Sequence, residues 1–177
     1  MITQRKEFWK QIARTNADIQ HEANIMDGAE IVGKRNAFLT DFDEEVEATE
    51  FTNLSTPCIV MATIEGQIIA KKDQPRNRYT NRIMILQRFS VLSETDPSLP
   101  KGKAEAIESA FDIMQEIINK IQSDYEDAGC DYEFKDLDQN SFKWDSIEMT
   151  GSNLCGYELT FDDEVKRRFI INPNKWL

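Results

Sequence analysis

The sequence predicts an α+β domain: a mostly antiparallel sheet containing a long β-hairpin, packed against a long central helix, with a second helix at the N-terminus. Three observations carry this expectation. Across residues 101–129, Ile107, Phe111, Met114, Ile118, Ile121 and Tyr125 recur at steps of four and three, which puts them on one stripe of a helix, and Ile113 and Ile117 widen it. Residues 57–70 and 82–92 each hold a dense apolar run, and the two are placed to pair as a hairpin. Near the end, Tyr157, Leu159 and Phe161 alternate with Glu158, Thr160 and Asp162, the period of two that marks a strand with one wet face. At 177 residues the chain fits one domain, with 163–177 a docking C-terminal tail and 1–34 an N-terminal helical arm.

Residues 3–24 read as the first helix. Phe8, Ile12 and Ile19 keep register, Trp9 and Ala13 lie beside them, and Arg5, Lys6, Lys10, Arg14 and Asp18 surround the rest. Such a helix either docks on its own core or forms an arm that reaches a neighbouring subunit. Asp27-Gly28 and Gly33 punctuate the chain, and 34–40 shows no regular pattern. Acidic residues then crowd a short segment: Asp41, Asp43, Glu44, Glu45, Glu47 and Glu50. Hard cations favour carboxylate oxygens, but the glycine turn and alternating spacing of a calcium loop are missing. A solvated acidic face is the reading adopted.

The first apolar run, Cys58 to Ile64, is nearly continuous, which predicts a strand covered on both faces. Between the two runs, 71–82 reads KKDQPRNRYTNR, and Lys71, Lys72, Arg76, Arg78 and Arg82 make five basic residues in twelve. Pro75 and the asparagines predict an exposed loop. Three readings stand for it. It contacts phosphate, with Tyr79 as an aromatic between arginines; it docks on an acidic face of a partner, another copy of this chain included; or it has no partner.

Pro97 and Pro100 deliver the chain to the central helix, which Ala128-Gly129 can stop. Beyond it Tyr132 and Phe134 alternate with polar neighbours, and Asn140-Ser141 marks a turn. Phe142 and Trp144 have the opposite parity to Ile147 and Met149, which predicts a β-bulge near Asp145-Ser146. Trp176-Leu177 at the end is apolar enough to dock on the core or on another subunit.

Composition narrows the function classes. No apolar run approaches the roughly 20 residues that span a bilayer, and the start, MITQRKEFWK, has no hydrophobic signal region. A protein that stays where it is made, away from membranes, is expected. Cys58, Cys130 and Cys155 form no C-x-x-C pair and read as buried, reduced thiols. His21 is the lone histidine, there is no phosphate-cradling glycine motif, and no serine sits in a nucleophile elbow. No enzymatic activity, cofactor or metal is therefore expected. A net charge of −11 repels nucleic acid in general.

The order of elements, with the hairpin over 57–92, the helix over 101–129 and the final strands from Trp144 to Gly156-Tyr157-Glu158-Leu159, resembles the small ring-forming proteins at the head–tail junction of tailed bacteriophages, tail terminator and tail completion proteins above all. The resemblance implies a structural ring subunit of a virion, made in the host bacterial cytoplasm. It implies self-assembly into a ring of about six or twelve copies, neighbours among portal, connector or tail proteins, and DNA passing through the lumen without specific binding. Contacts are then expected from Lys71, Lys72, Arg76, Arg78, Tyr79 and Arg82 on one copy and Asp41, Asp43, Glu44 and Glu45 on the next, with Trp176 at a further contact. On this reading, reversal of Arg76, Arg78 and Arg82 to Glu leaves the monomer folded and abolishes assembly. The rival is a soluble adaptor that binds an acidic partner through the basic loop 71–82.

Overall fold

Helix α1 spans Ile2–Thr15. Arg5, Trp9, Ile12 and Ala13 fall on one face of it, and all four are buried. The helix ends well short of residue 24. Asn16 Oδ1 accepts the amide protons of Asp18 and Ile19 at 3.0 and 3.1 Å, a local turn that competes with helix propagation. Gln20 and Glu22 then adopt positive φ values of 49° and 64°, which no right-handed helix tolerates. Ile19 still reaches the core, from this turn. Arg5, expected on the outer face, points inward. The Trp9 ring lies 6.1 Å from that of Phe161, so α1 docks on its own chain.

The computed structural model describes residues 2–40, 53–62, 64–69, 76–89, 102–128, 134, 136–149 and 153–166. After α1, strands β1 (Asn24–Asp27) and β2 (Glu30–Lys34) form a small ribbon separate from the main sheet. Its turn is Gly28-Ala29, with Gly28 at φ 59°, a left-handed geometry that glycine supplies without strain at the first centre of a tight hairpin turn.

The main sheet holds β3 (Phe38–Thr40), β4 (Cys58–Met61), β5 (Glu65–Ile69), β6 (Arg76–Arg88), β7 (Lys143–Met149) and β8 (Leu154–Lys166). The order is β3-β4-β6-β8-β7, with β5 also on β6. Only β3 and β4 run parallel. Strand β3 had no sequence signal because three residues are too few to show a period. The predicted hairpin is present but divided differently: β4 pairs with residues 83–86 and β5 with residues 76–80 of the one long strand β6. Residues 76–82 are therefore strand and not loop. Arg76, Arg78, Thr80 and Arg82 already alternate with Asn77, Tyr79 and Asn81, and β8 supplies polar partners along the same length.

Helix α2 spans Lys103–Ala128, close to the predicted bounds. Its fully covered line runs through Ala106, Ala110, Ile113, Met114, Ile117 and Ile121, while Phe111 and Tyr125 are only partly buried. The stripe is thus rotated toward the alanines, whose small side chains let the helix approach the sheet. Phe111 meets Tyr157 of β8 at 5.4 Å between ring centres. Both described helices lie on this face of the sheet, which also carries Ile83, Ile85, Leu159 and Phe161.

The bulge expected near Asp145-Ser146 is absent. Strand β7 pairs with β8 without a register shift, from Lys143↔Thr160 to Met149↔Leu154. The change of parity needs no bulge: Trp144 pairs with Leu159 on the helix side, where Phe142 also stacks on Phe161 at 4.9 Å, whereas Ile147 and Met149 belong to the opposite face. Phe134 is buried among Phe8, Trp9 and Phe161 but belongs to no strand. Residues 131–133 lie outside the described residues.

Candidate assembly surface

The arginines read as a docking loop are engaged within the sheet. Arg76 Nη1 donates to Asp136 Oδ2 at 2.7 Å and stands 3.5 Å from Glu164 Oε2. Arg78 Nη2 donates to Glu164 Oε1 at 2.9 Å, a bond that raises the Arg78 pKa. Arg82 lies 3.6 Å from Glu158 and 3.7 Å from Glu65. Cross-strand pairing Arg78↔Glu164 and Thr80↔Asp162 sets these partners opposite one another. Tyr79 faces the other way, with the Arg5 guanidinium 5.6 Å from its ring centre. Asp41, Asp43, Glu44, Glu45, Lys71, Lys72 and Trp176 lie outside the described residues.

This geometry changes the expected effect of charge reversal. The triple substitution of Arg76, Arg78 and Arg82 by Glu would set new carboxylates beside Glu164 and Glu158. Partly exposed pairs are each worth little, but like charges across a strand pair repel. A loss of about 2 kcal/mol of folding stability is expected by urea denaturation, so the variant cannot report on assembly alone.

His21 stands beside the base of the ribbon. Its Nδ1 accepts the Ala37 amide proton at 3.2 Å. Burial lowers its pKa, with Lys10 and Arg14 acting in the same sense and Glu22 opposing. Glu22 itself is held down to about 2 by hydrogen bonds from Lys10 and Arg14. An unfolded histidine takes up its proton near pH 6.5, whereas the folded one does so only at lower pH. Stability is then full above about pH 6.5 and falls as the pH drops below it. The urea midpoint should be lower at pH 5.5 than at pH 7.5, and His21→Gln should flatten that difference.

The ribbon β1–β2 is the other distinctive surface. Ile25, Met26, Ile31 and Val32 are 44%, 54%, 61% and 60% exposed. Met26 pairs with Ile31 and Ile25 with Gly33, so apolar side chains line both sides. A two-stranded ribbon is marginal in water by itself, and clustered exposed apolar groups mark contact sites. Sequence reasoning passed over these residues because the first helix was drawn to Asn24. The signal was present: Asp27-Gly28 stands between Ile25-Met26 and Ile31-Val32.

Among the described residues no three of His, Cys, Asp and Glu converge where they could hold a metal ion. Cys58 and Cys155 are buried, free thiols. Burial pushes Cys58 up to about 12 and raises Cys155, which disfavours the reactive thiolate. Among the described residues no helix is long and apolar enough to cross a membrane. Comparison with protein-family models, with curated proteins and with solved structures gives no match to this chain.

Proposed function

We propose that this chain is a non-enzymatic structural subunit that assembles with itself into a ring, of the kind found at the head–tail junction of tailed bacteriophages. The observation that carries the reading is the ribbon β1–β2, which gathers four of the six exposed large apolar side chains among the described residues, the others being Ile68 and Trp144. A ring subunit needs one surface that meets a different surface on the next copy, and a projecting ribbon is such a surface. An acidic ring, at −11 per chain, would let DNA pass through its lumen without sticking. Arg76, Arg78 and Arg82 already have carboxylate partners in their own chain, which argues against the contact first expected of them in the ring as much as against the adaptor reading.

The test is the native mass of the purified protein by sedimentation velocity, over a range of concentrations and at low and high salt. A closed species much heavier than the 20.5 kDa chain is expected at high concentration. A monomer under every condition would refute self-assembly.

A further inference from the structure

Strand β7 is the outermost strand of the main sheet on its side, and among the described residues it pairs only with β8. Over Lys143–Ser146 its other edge therefore presents backbone donors and acceptors without a strand partner among those residues. Such edges are usually blunted or covered, because they invite another strand. This one carries Trp144, 44% exposed, with Lys143, Asp145 and Ser146 also exposed. We infer that the ribbon of one copy adds edge to edge onto β7 of the next copy, with β1 antiparallel to β7. This contact rests on the assembly reading above and names the two surfaces that would meet.

Charge and strand overlap together select the direction, because with Asp27 opposite Lys143 only an antiparallel β1 lies along β7. Lys143 has no ion pair among the described residues, and neither has Asp27 or Glu30 at the ribbon tip. An antiparallel register that sets Asp27 across from Lys143 also sets Met26 across from Trp144 and Asn24 across from Ser146. Paired residues on neighbouring strands share a face. Met26 and Ile31 are such a pair, so both would lie on the Trp144 side of the sheet. That side is the one α2 covers, as the pairing of Trp144 with Leu159 shows. The ribbon would thus continue the apolar face of the neighbouring sheet, while backbone hydrogen bonds join the two edges, a strand-addition mode of recognition. The contact is heterologous, which is what ring closure requires.

The test uses two variants of the full chain and sedimentation velocity, with circular dichroism to establish that each is folded. The ribbon variant carries Met26→Asp and Ile31→Asp, and the edge variant carries Trp144→Asp. Each alone should lose the oligomer. An equimolar mixture should form a one-to-one heterodimer and nothing larger, since each variant keeps one intact half of the contact. Should Trp144→Asp unfold the chain, Lys143→Glu takes its place. It should weaken self-association about tenfold by like-charge repulsion, and Asp27→Lys in the same chain should restore it. An oligomer that survives the edge or the ribbon variant overturns this contact and leaves the assembly reading standing. So does a mixture that stays monomeric, which would give the ribbon a partner other than β7. A wild-type chain that is monomeric at all concentrations overturns both.

Discussion

Arg5→Ala is expected to cost about 3–5 kcal/mol of folding stability, the scale of breaking a buried ion pair from one side. Arg5 is 1% exposed and Asp163 fully buried. Arg5 Nη2 donates to Asp163 Oδ2 and Nη1 to Asn81 Oδ1, both at 2.5 Å, and Asn81 Nδ2 donates to Asp163 Oδ1 at 2.9 Å. The guanidinium also stands 4.7 Å from the centre of the Phe134 ring. Without Arg5, the Asp163 carboxylate keeps Asn81 as a donor but loses its counter-charge in an apolar surround. The same cluster ties α1 to the middle of β6 and the C-terminal part of β8, so the loss should also loosen Trp9. Arg5 Nε has no hydrogen-bond partner among the described residues, so the cluster is not fully satisfied. The double replacement Arg5→Met with Asp163→Leu should therefore cost far less than the two single changes added together. Guanidinium chloride unfolding, followed by tryptophan fluorescence, measures all three variants. A loss under about 1 kcal/mol for Arg5→Ala would mean the pair is hydrated rather than buried.

Gly156→Ala should be nearly as damaging, by about 3 kcal/mol or more. A Cβ built on Gly156 would stand 1.9 Å from the Ile85 carbonyl oxygen and 3.0 Å from its carbonyl carbon. Those are backbone atoms of the neighbouring central strand, so no side-chain rotation relieves the clash. The sheet itself must open where β6 and β8 are most deeply buried. A lower thermal midpoint and lost protection of the β6 and β8 amides in hydrogen exchange are the expected readouts. Gly66→Ala is a useful contrast, because its nearest neighbours are Tyr79 ring carbons at 3.2 Å, which can move. An unchanged midpoint for Gly156→Ala would show that the two strands are farther apart in solution.

The sequence by itself determined the α+β class, helix α2 almost to its ends, the pairing of the two apolar runs, and the strand around Tyr157 to Phe161. Each rests on a periodicity carried by neighbours in the chain, which is information a local pattern holds. It also contained the ribbon turn, in Asp27-Gly28 between apolar pairs, although the stronger helical register upstream masked it. What only the tertiary structure decided is where the charges go. Arg5 and Asp163 lie 158 residues apart in sequence, and nothing local marks either as buried. Arg76, Arg78 and Arg82 look like an exposed basic loop until β8 is placed beside them with Glu158, Asp162 and Glu164. A buried charge on a central strand is stable only when an opposite charge or hydrogen-bond partners are delivered to it, from across the sheet or from a helix packed on it. That delivery depends on the register of segments far apart in the chain, and no local pattern encodes it.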